Sequence, residues 1–212
     1  MYKLFYASES ASMGVRVLLE EIGADYELLE TSVEAGAPRP AAQLAINPNG
    51  WVPVLMWEDR AMYECVAITI FLGDCHPEAG LAPAVDAVER GVYLQTLVYF
   101  SSSVQNAFQL SYYPDRFADD PEGEPGAQRR GARRLRETLG VIDAQIGANR
   151  WVLGDKFTAV DIYLFMLTTW LQTDRGHPPL HTLPNVARIS AAVQARPSVQ
   201  LVYANWIAGL DG

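Results

Sequence analysis

Cysteine is almost missing from this 212-residue chain: Cys65 and Cys75 are the only two, and histidine occurs three times. The two thiols stand ten residues apart in one helical pattern, about 15 Å along its axis, where no disulfide can join them. A disulfide-framed fold is excluded on that ground. Neither cysteine has metal-ligand spacing with His76, His177 or His181, so no structural metal site is expected. Long apolar runs are also lacking. None approaches the roughly 20 residues that span a bilayer, and Met1-Tyr2-Lys3-Leu4-Phe5-Tyr6 does not have the layout of a signal peptide. The expectation is a cytoplasmic protein with no membrane part. Positive charge is scarce as well: 16 Lys and Arg stand against 25 Asp and Glu, a net charge of −9. A nucleic-acid or acidic-membrane binder needs a basic footprint, and the chain offers none overall. The one basic run, Arg129-Arg130-Gly131-Ala132-Arg133-Arg134-Leu135-Arg136, has helical spacing and reads as a solvated face. Any anionic ligand must therefore be captured by local donors rather than by the global field.

What is present is apolar content, 50% of the residues, enough for a sizeable core in one large domain or two small ones. Strand-like and helix-like patterns alternate over the first eighty residues. Lys3 to Tyr6 is a short β-prone run, Gly14 to Ile22 places Val15, Leu18, Leu19 and Ile22 on one helical face, and Tyr26 to Leu29 is a second strand. Pro53 to Trp57 and Ala61-Met62 flank the Glu58-Asp59-Arg60 turn as a hairpin, and Tyr63 to Cys75 reads as a helix ending before Pro77. The order βαβ, short helix or loop, ββα is that of an α/β thioredoxin-like domain, assigned to residues 1–77. Residues 78–87, with Gly80 and Pro83, read as a linker. The remainder, 88–212, reads as an all-α helical domain with segments near 86–112, 127–148, 159–172, 185–195 and 198–208. An acidic, turn-rich loop, 119–126, separates the first two. Phe157-Thr158-Ala159-Val160-Asp161 is a helix start, with Thr158 as N-cap and Asp161 in the capping-box position.

The stretch Asn47-Pro48-Asn49-Gly50-Trp51-Val52-Pro53-Val54-Leu55 carries an oddity. Proline has no N–H for a sheet ladder, yet Pro53 opens an apolar run. A cis Val52-Pro53 bond would turn the N–H and C=O of Val52 away from the sheet, where both can pair with an extended peptide ligand.

Three motifs in this order and spacing, Asn47-Pro48-x-Gly50-x-Val52-Pro53-x-Leu55, Glu64-x-x-Ala67-Ile68 and Phe157-Thr158-x-x-Asp161, resemble the cytosolic glutathione S-transferase family. The resemblance covers nearly the whole chain, and its nearest flavour is a bacterial beta-like or related serine-type class. It implies a thioredoxin-like domain followed by a helical domain, a homodimer, and glutathione as co-substrate for conjugation to a hydrophobic small-molecule electrophile. By the same resemblance Val52, before cis Pro53, anchors the cysteinyl unit of glutathione, while Glu64 and Cys65 hold its γ-glutamyl end. Cys65 stands where many members have serine; its backbone N–H at a helix start still suits a carboxylate. Trp51 stands where many relatives have a lysine for the glycine carboxylate, so Gln43 and Arg39 are substitutes to consider beside the Trp51 indole N–H.

A transferase must hold the glutathione sulfur as thiolate, although a free thiol has a pKa near 8.5. After the first strand the chain reads Ala7-Ser8-Glu9-Ser10-Ala11-Ser12-Met13, three hydroxyls in the turn entering the first helix. By alignment to serine-type members Ser10 faces the thiol, with Ser12 and Ser8 as alternatives, and at least one serine is expected to cap the helix. Ala11 occupies the position of the beta-like cysteine, which argues against thiol-disulfide exchange there. Arg16 has Glu20 at i+4 as an ordinary partner. The electrophile pocket is expected on the first helices of the second domain, where Tyr99, Ser102, Gln105, Asn106, Phe108, Gln109, Tyr112 and Tyr113 mix aromatic area with amide donors. Gln105 and Asn106 replace the histidine and lysine of the beta-like group. Two other functions use the same fold: glutathione-dependent isomerisation, dehalogenation or ether cleavage, and non-catalytic binding on a transferase scaffold.

Overall fold

Strand β1 (Tyr2–Tyr6) enters the core at once, with Leu4, Phe5 and Tyr6 buried. The structure, a computed structural model, describes residues 1–34 and 36–209. Helix α1 (Ser12–Glu21) follows, and its Val15, Val17, Leu18 and Leu19 are buried. Strand β2 (Tyr26–Glu30) then pairs in parallel with β1, Leu4 opposite Leu28. After the short helix α2 (Ala41–Ile46), strands β3 (Val54–Trp57) and β4 (Arg60–Tyr63) form a hairpin, and β3 lies antiparallel to β1. Among the described residues the sheet order is β2-β1-β3-β4. Helix α3 (Cys65–Cys75) completes the βαβ-ββα series. This is the thioredoxin-like arrangement expected from the residue pattern.

The helical part contains α4 (Arg90–Tyr99), α5 (Asn106–Tyr112), α6 (Glu124–Ile146), α7 (Ala159–Thr168) and α8 (Pro184–Gln194). The chain closes with α9 (Pro197–Val202) and α10 (Ala204–Ala208). Two findings depart from the sequence reading. The expected helix over 86–112 is interrupted by a π-helical stretch, Phe100–Gln105, that separates α4 from α5. The division of the chain also differs: one unit is Met1–Ala87 together with the segment from Ala195 onward, and the other is Val88–Gln194. Residues 78–87, read as a linker, group with the first unit, and so do 195–209, read as part of the helical domain; 210–212 lie outside the described residues. The physical reason is a long-range anchor. Arg196 donates from Nε and a terminal nitrogen to the two Glu21 oxygens at 2.7 and 2.6 Å, Ser198 donates to the same carboxylate, and α9 packs on α1.

Helix α7 is buried on every side, so its apolar character is not confined to a stripe. Its start is built as the motif predicts. Thr158 has extended dihedrals, φ −139° and ψ 173°, and the capping box with Asp161 is complete.

The contact of α5 with α6 depends on a glycine. A Cβ on Gly131 would sit 2.8 Å from the Ala107 carbonyl oxygen, 2.8 Å from the Ser111 nitrogen and 3.0 Å from Leu110 Cβ. Two of those neighbours are helix backbone and cannot turn aside. Gly131→Ala is therefore expected to push the helices apart and cost about 1–3 kcal/mol, the usual range for an overpacked core. Urea denaturation checks this: the midpoint should fall with the slope m unchanged, and an unmoved midpoint would show that the helix pair yields freely.

Candidate functional site

The turn between β1 and α1 gathers two of its three hydroxyls around one backbone group. Ser10 Oγ donates to the Ala7 carbonyl at 2.7 Å, Ser12 Oγ lies 3.1 Å from the same oxygen, and the two hydroxyl oxygens are 2.6 Å apart. The backbone fixes both from the other side: Ala7 N–H donates to Ser12 Oγ at 3.1 Å, and Ser12 N–H to Ser10 Oγ at 3.2 Å. Ser12 is fully buried, Ser10 is 8% exposed, and Ser8 is exposed. The N-cap position is Ala11, so the expectation that a serine caps α1 is not met. The hydroxyls serve the turn, not the helix end. Glu9 holds the turn at φ 56°, a region that side chains other than glycine and asparagine seldom adopt.

Helix α3 starts beside this turn: Cys65 is buried, and its Sγ lies 3.5 Å from the Ala11 carbonyl oxygen. Glu64, exposed, occupies the N-cap position with φ 77° and ψ 111°. A left-handed glutamate at a helix start is a strained element of the kind that clusters at ligand sites.

The Val52-Pro53 peptide is cis, as the motif implied. Val52 is half-buried and lies just outside β3, and among the described residues no backbone group takes its N–H or C=O. The loop before it is internally braced. Gln43, fully buried, donates from Nε2 to the carbonyls of Gly50 at 3.0 Å and Trp51 at 3.3 Å, and Asn47 Nδ2 adds a bond to Trp51 O at 3.2 Å. Arg39 wraps the outside, donating to the carbonyls of Gly50, Ala37 and Glu34. Gln43 and Arg39, the substitutes considered for the lysine of relatives, thus both donate to nearby backbone carbonyls. Gly50 holds the turn before Trp51 at φ 69°, a left-handed conformation that suits glycine. Trp51 is about half exposed. Arg16 also departs from expectation: its Nε donates to the Tyr26 hydroxyl at 3.2 Å, and that hydroxyl donates to Glu20, so a tyrosine stands between the expected ion partners.

In the helical unit the residues named from the sequence do not form one cluster. Gln105 closes the π stretch and accepts the Tyr163 hydroxyl on Oε1 at 2.7 Å, while Asn106 next to it is exposed. Tyr113 lies at the other end of α5 with the Arg116 guanidinium 4.0 Å over its ring. Phe108 is core, packed edge-on against Trp170 and His177 with centroids 5.5 Å away in each case. Among the described residues no three His, Cys, Asp or Glu side chains are grouped as metal ligands, and no helix is long and apolar enough to cross a membrane.

Two family models match separate parts of the chain: the glutathione S-transferase N-terminal domain over residues 10–75 and the C-terminal domain over 125–192. The GST-like protein YncG of Escherichia coli K12 is 31% identical over 85% of this chain and 78% of its own length. The chain belongs to the glutathione S-transferase family. Glutathione S-transferase GstA of Escherichia coli O157:H7 is 28% identical, over 93% of this chain and 95% of its own. A sphingomonad glutathione S-transferase, solved in complex with glutathione, superposes with a TM-score of 0.82 at 26% identity, covering 96% of this chain and 98% of that one.

The Ala7 carbonyl, on which both serines converge, is backbone, and no residue letter announces it.

Proposed function

We propose that this glutathione S-transferase family member binds glutathione along Val52 and the start of α3 and transfers its thiolate to an apolar electrophile, with the Ser10 hydroxyl stabilising the sulfur. The observation that carries the reading is the serine turn. Its outer hydroxyl, Ser10, is held at an oxygen-to-oxygen distance of 2.6 Å from a fully buried partner, and the Ala11 carbonyl next to it contacts Cys65 at the first turn of α3. A helix N-terminus favours the carboxylate of a γ-glutamyl group, the Val52 N–H and C=O, which no backbone group takes among the described residues, suit an extended peptide, and a positioned hydroxyl proton suits a thiolate. The glutathione complex of the sphingomonad relative supports the same ligand here.

The test is a calorimetric titration of the wild-type protein with glutathione, joined to an ultraviolet titration of the bound thiol. Binding with a thiol pKa one or more units below the free value of about 8.5 is the expected outcome. Absence of binding at millimolar glutathione would sink the proposal and favour a binding or scaffold role. The commitment of Arg39 and Gln43 to their own loop is the observation that keeps that second reading in view.

A further inference from the structure

We propose that Ser12 is a positioning residue of the thiolate site, which takes over the Ala7 carbonyl when Ser10 turns its proton toward the sulfur. The inference rests on the function proposed above. It follows from counting protons. Each serine has one hydroxyl proton, and in the resting turn there are three places to put them: the Ala7 carbonyl oxygen, Ser10 Oγ and Ser12 Oγ. An oxygen pair at 2.6 Å needs a proton between its members, since two lone pairs at that distance repel. One serine therefore donates to the other, and the remaining proton serves Ala7. The shorter contact to the carbonyl belongs to Ser10, 2.7 Å against 3.1 Å for Ser12, so at rest Ser10 donates to Ala7 and Ser12 donates to Ser10.

When a thiolate arrives, its own proton having left to solvent, Ser10 must redirect its hydroxyl to the sulfur. Acting alone, it would leave a buried carbonyl without a partner, a costly loss. Ser12 removes that cost, because its oxygen already lies within hydrogen-bond distance of the same carbonyl, and the hydroxyl pair, left with no proton between its oxygens, opens as Ser10 turns to the sulfur. While Ser12 still donates to Ser10, it also polarises the Ser10 hydroxyl and makes it a stronger donor. Full burial of Ser12 keeps it away from the ligand and restricts it to acting through Ser10.

Four variants test this: Ser12→Ala, Ser12→Thr, Ser12→Cys and Ser10→Ala, each measured for glutathione Kd by calorimetry and for the pKa of the bound thiol by thiolate absorbance. Ser12→Ala should raise the bound-thiol pKa by about one unit, the order expected for one orphaned buried carbonyl, with Kd nearly unchanged, and Ser12→Thr should restore it. Ser12→Cys keeps the volume but has only a weak donor, so it reads the hydroxyl even if the alanine variant folds poorly, and it should behave as alanine does. A wild-type thiol pKa in folded Ser12→Ala or Ser12→Cys overturns the relay, and the underlying reading survives if Ser10→Ala alone raises the pKa. No shift in any variant removes that reading as well.

Discussion

Ser10→Ala is expected to lower kcat about 100-fold, the usual loss on removing one preorganised donor from a developing anion, while glutathione affinity changes little. Two structural facts separate the effects. Ser10 is 8% exposed and Ser12 fully buried, so in the proposed site the Ser10 proton is the one offered to the ligand, and its removal leaves the Ala7 carbonyl to Ser12 at 3.1 Å. The turn keeps its brace while the sulfur loses its donor. The pH dependence gives the cause its signature. Where glutathione is ionised without help, above about pH 9, the donor matters least, so the ratio of wild-type to variant kcat should shrink as pH rises past the free thiol pKa. Steady-state rates with a reactive chloro-nitroaromatic electrophile from pH 6 to 9.5 measure this. A variant with unchanged kcat, alongside a Ser12→Ala variant that loses it, would transfer the donor role to Ser12.

Asp161→Ala should destabilise the protein by about 3 kcal/mol or more, because two backbone N–H groups lose their acceptor at once. Asp161 is fully buried; Oδ1 accepts from Val152 N–H and Oδ2 from Thr158 N–H, each at 2.8 Å, and Thr158 Oγ1 adds a contact at 3.3 Å. For a chain of this size the melting temperature should drop by about 6–12 °C. Burial pushes the Asp161 carboxyl up to about 6, against the pull of the hydrogen bonds from Val152 and Thr158. The sign follows from proton counts: between the unfolded value of 3.8 and the folded value near 6 the native state binds more protons than the unfolded one, so this group's contribution falls as pH rises through that window and is level above it. The stability gap between wild type and Asp161→Ala should accordingly narrow from pH 4 to pH 6 and then stay constant. Urea midpoints at pH 4.5, 5.5 and 7.5 measure it; a gap that widens with pH would mean that the carboxylate, not the acid, is the form the fold prefers.

Local chemistry made much of this legible. The periodic runs gave the βαβ-ββα order, Val52-Pro53 pointed to a cis bond, and the spacing of Thr158 and Asp161 specified a capping box, because each depends on residues close in sequence. What escaped depends on partners far along the chain or on backbone. Glu21 meets Arg196 and Ser198 across some 175 residues, and nothing in either segment indicates the other. Gln43 looked like a loop amide free for a ligand; its burial under Gly50 and Trp51 is a product of the turn between them. The π stretch at 100–105 carries no mark either, since Ser101, Ser102 and Ser103 suit an α-helix surface equally well. The serine turn lies between these cases: the hydroxyls were visible, and their convergence on Ala7 was not.

The attachment of the segment beyond Ala195 to α1 has a consequence for synthesis on the ribosome. The thioredoxin-like unit emerges before the helical one but lacks a piece: Val199 and Val202, both buried, and the two donors to Glu21 are translated only after the entire helical unit. The unit translated earlier of the two therefore cannot complete its α1–α9 contact until the later one has been made.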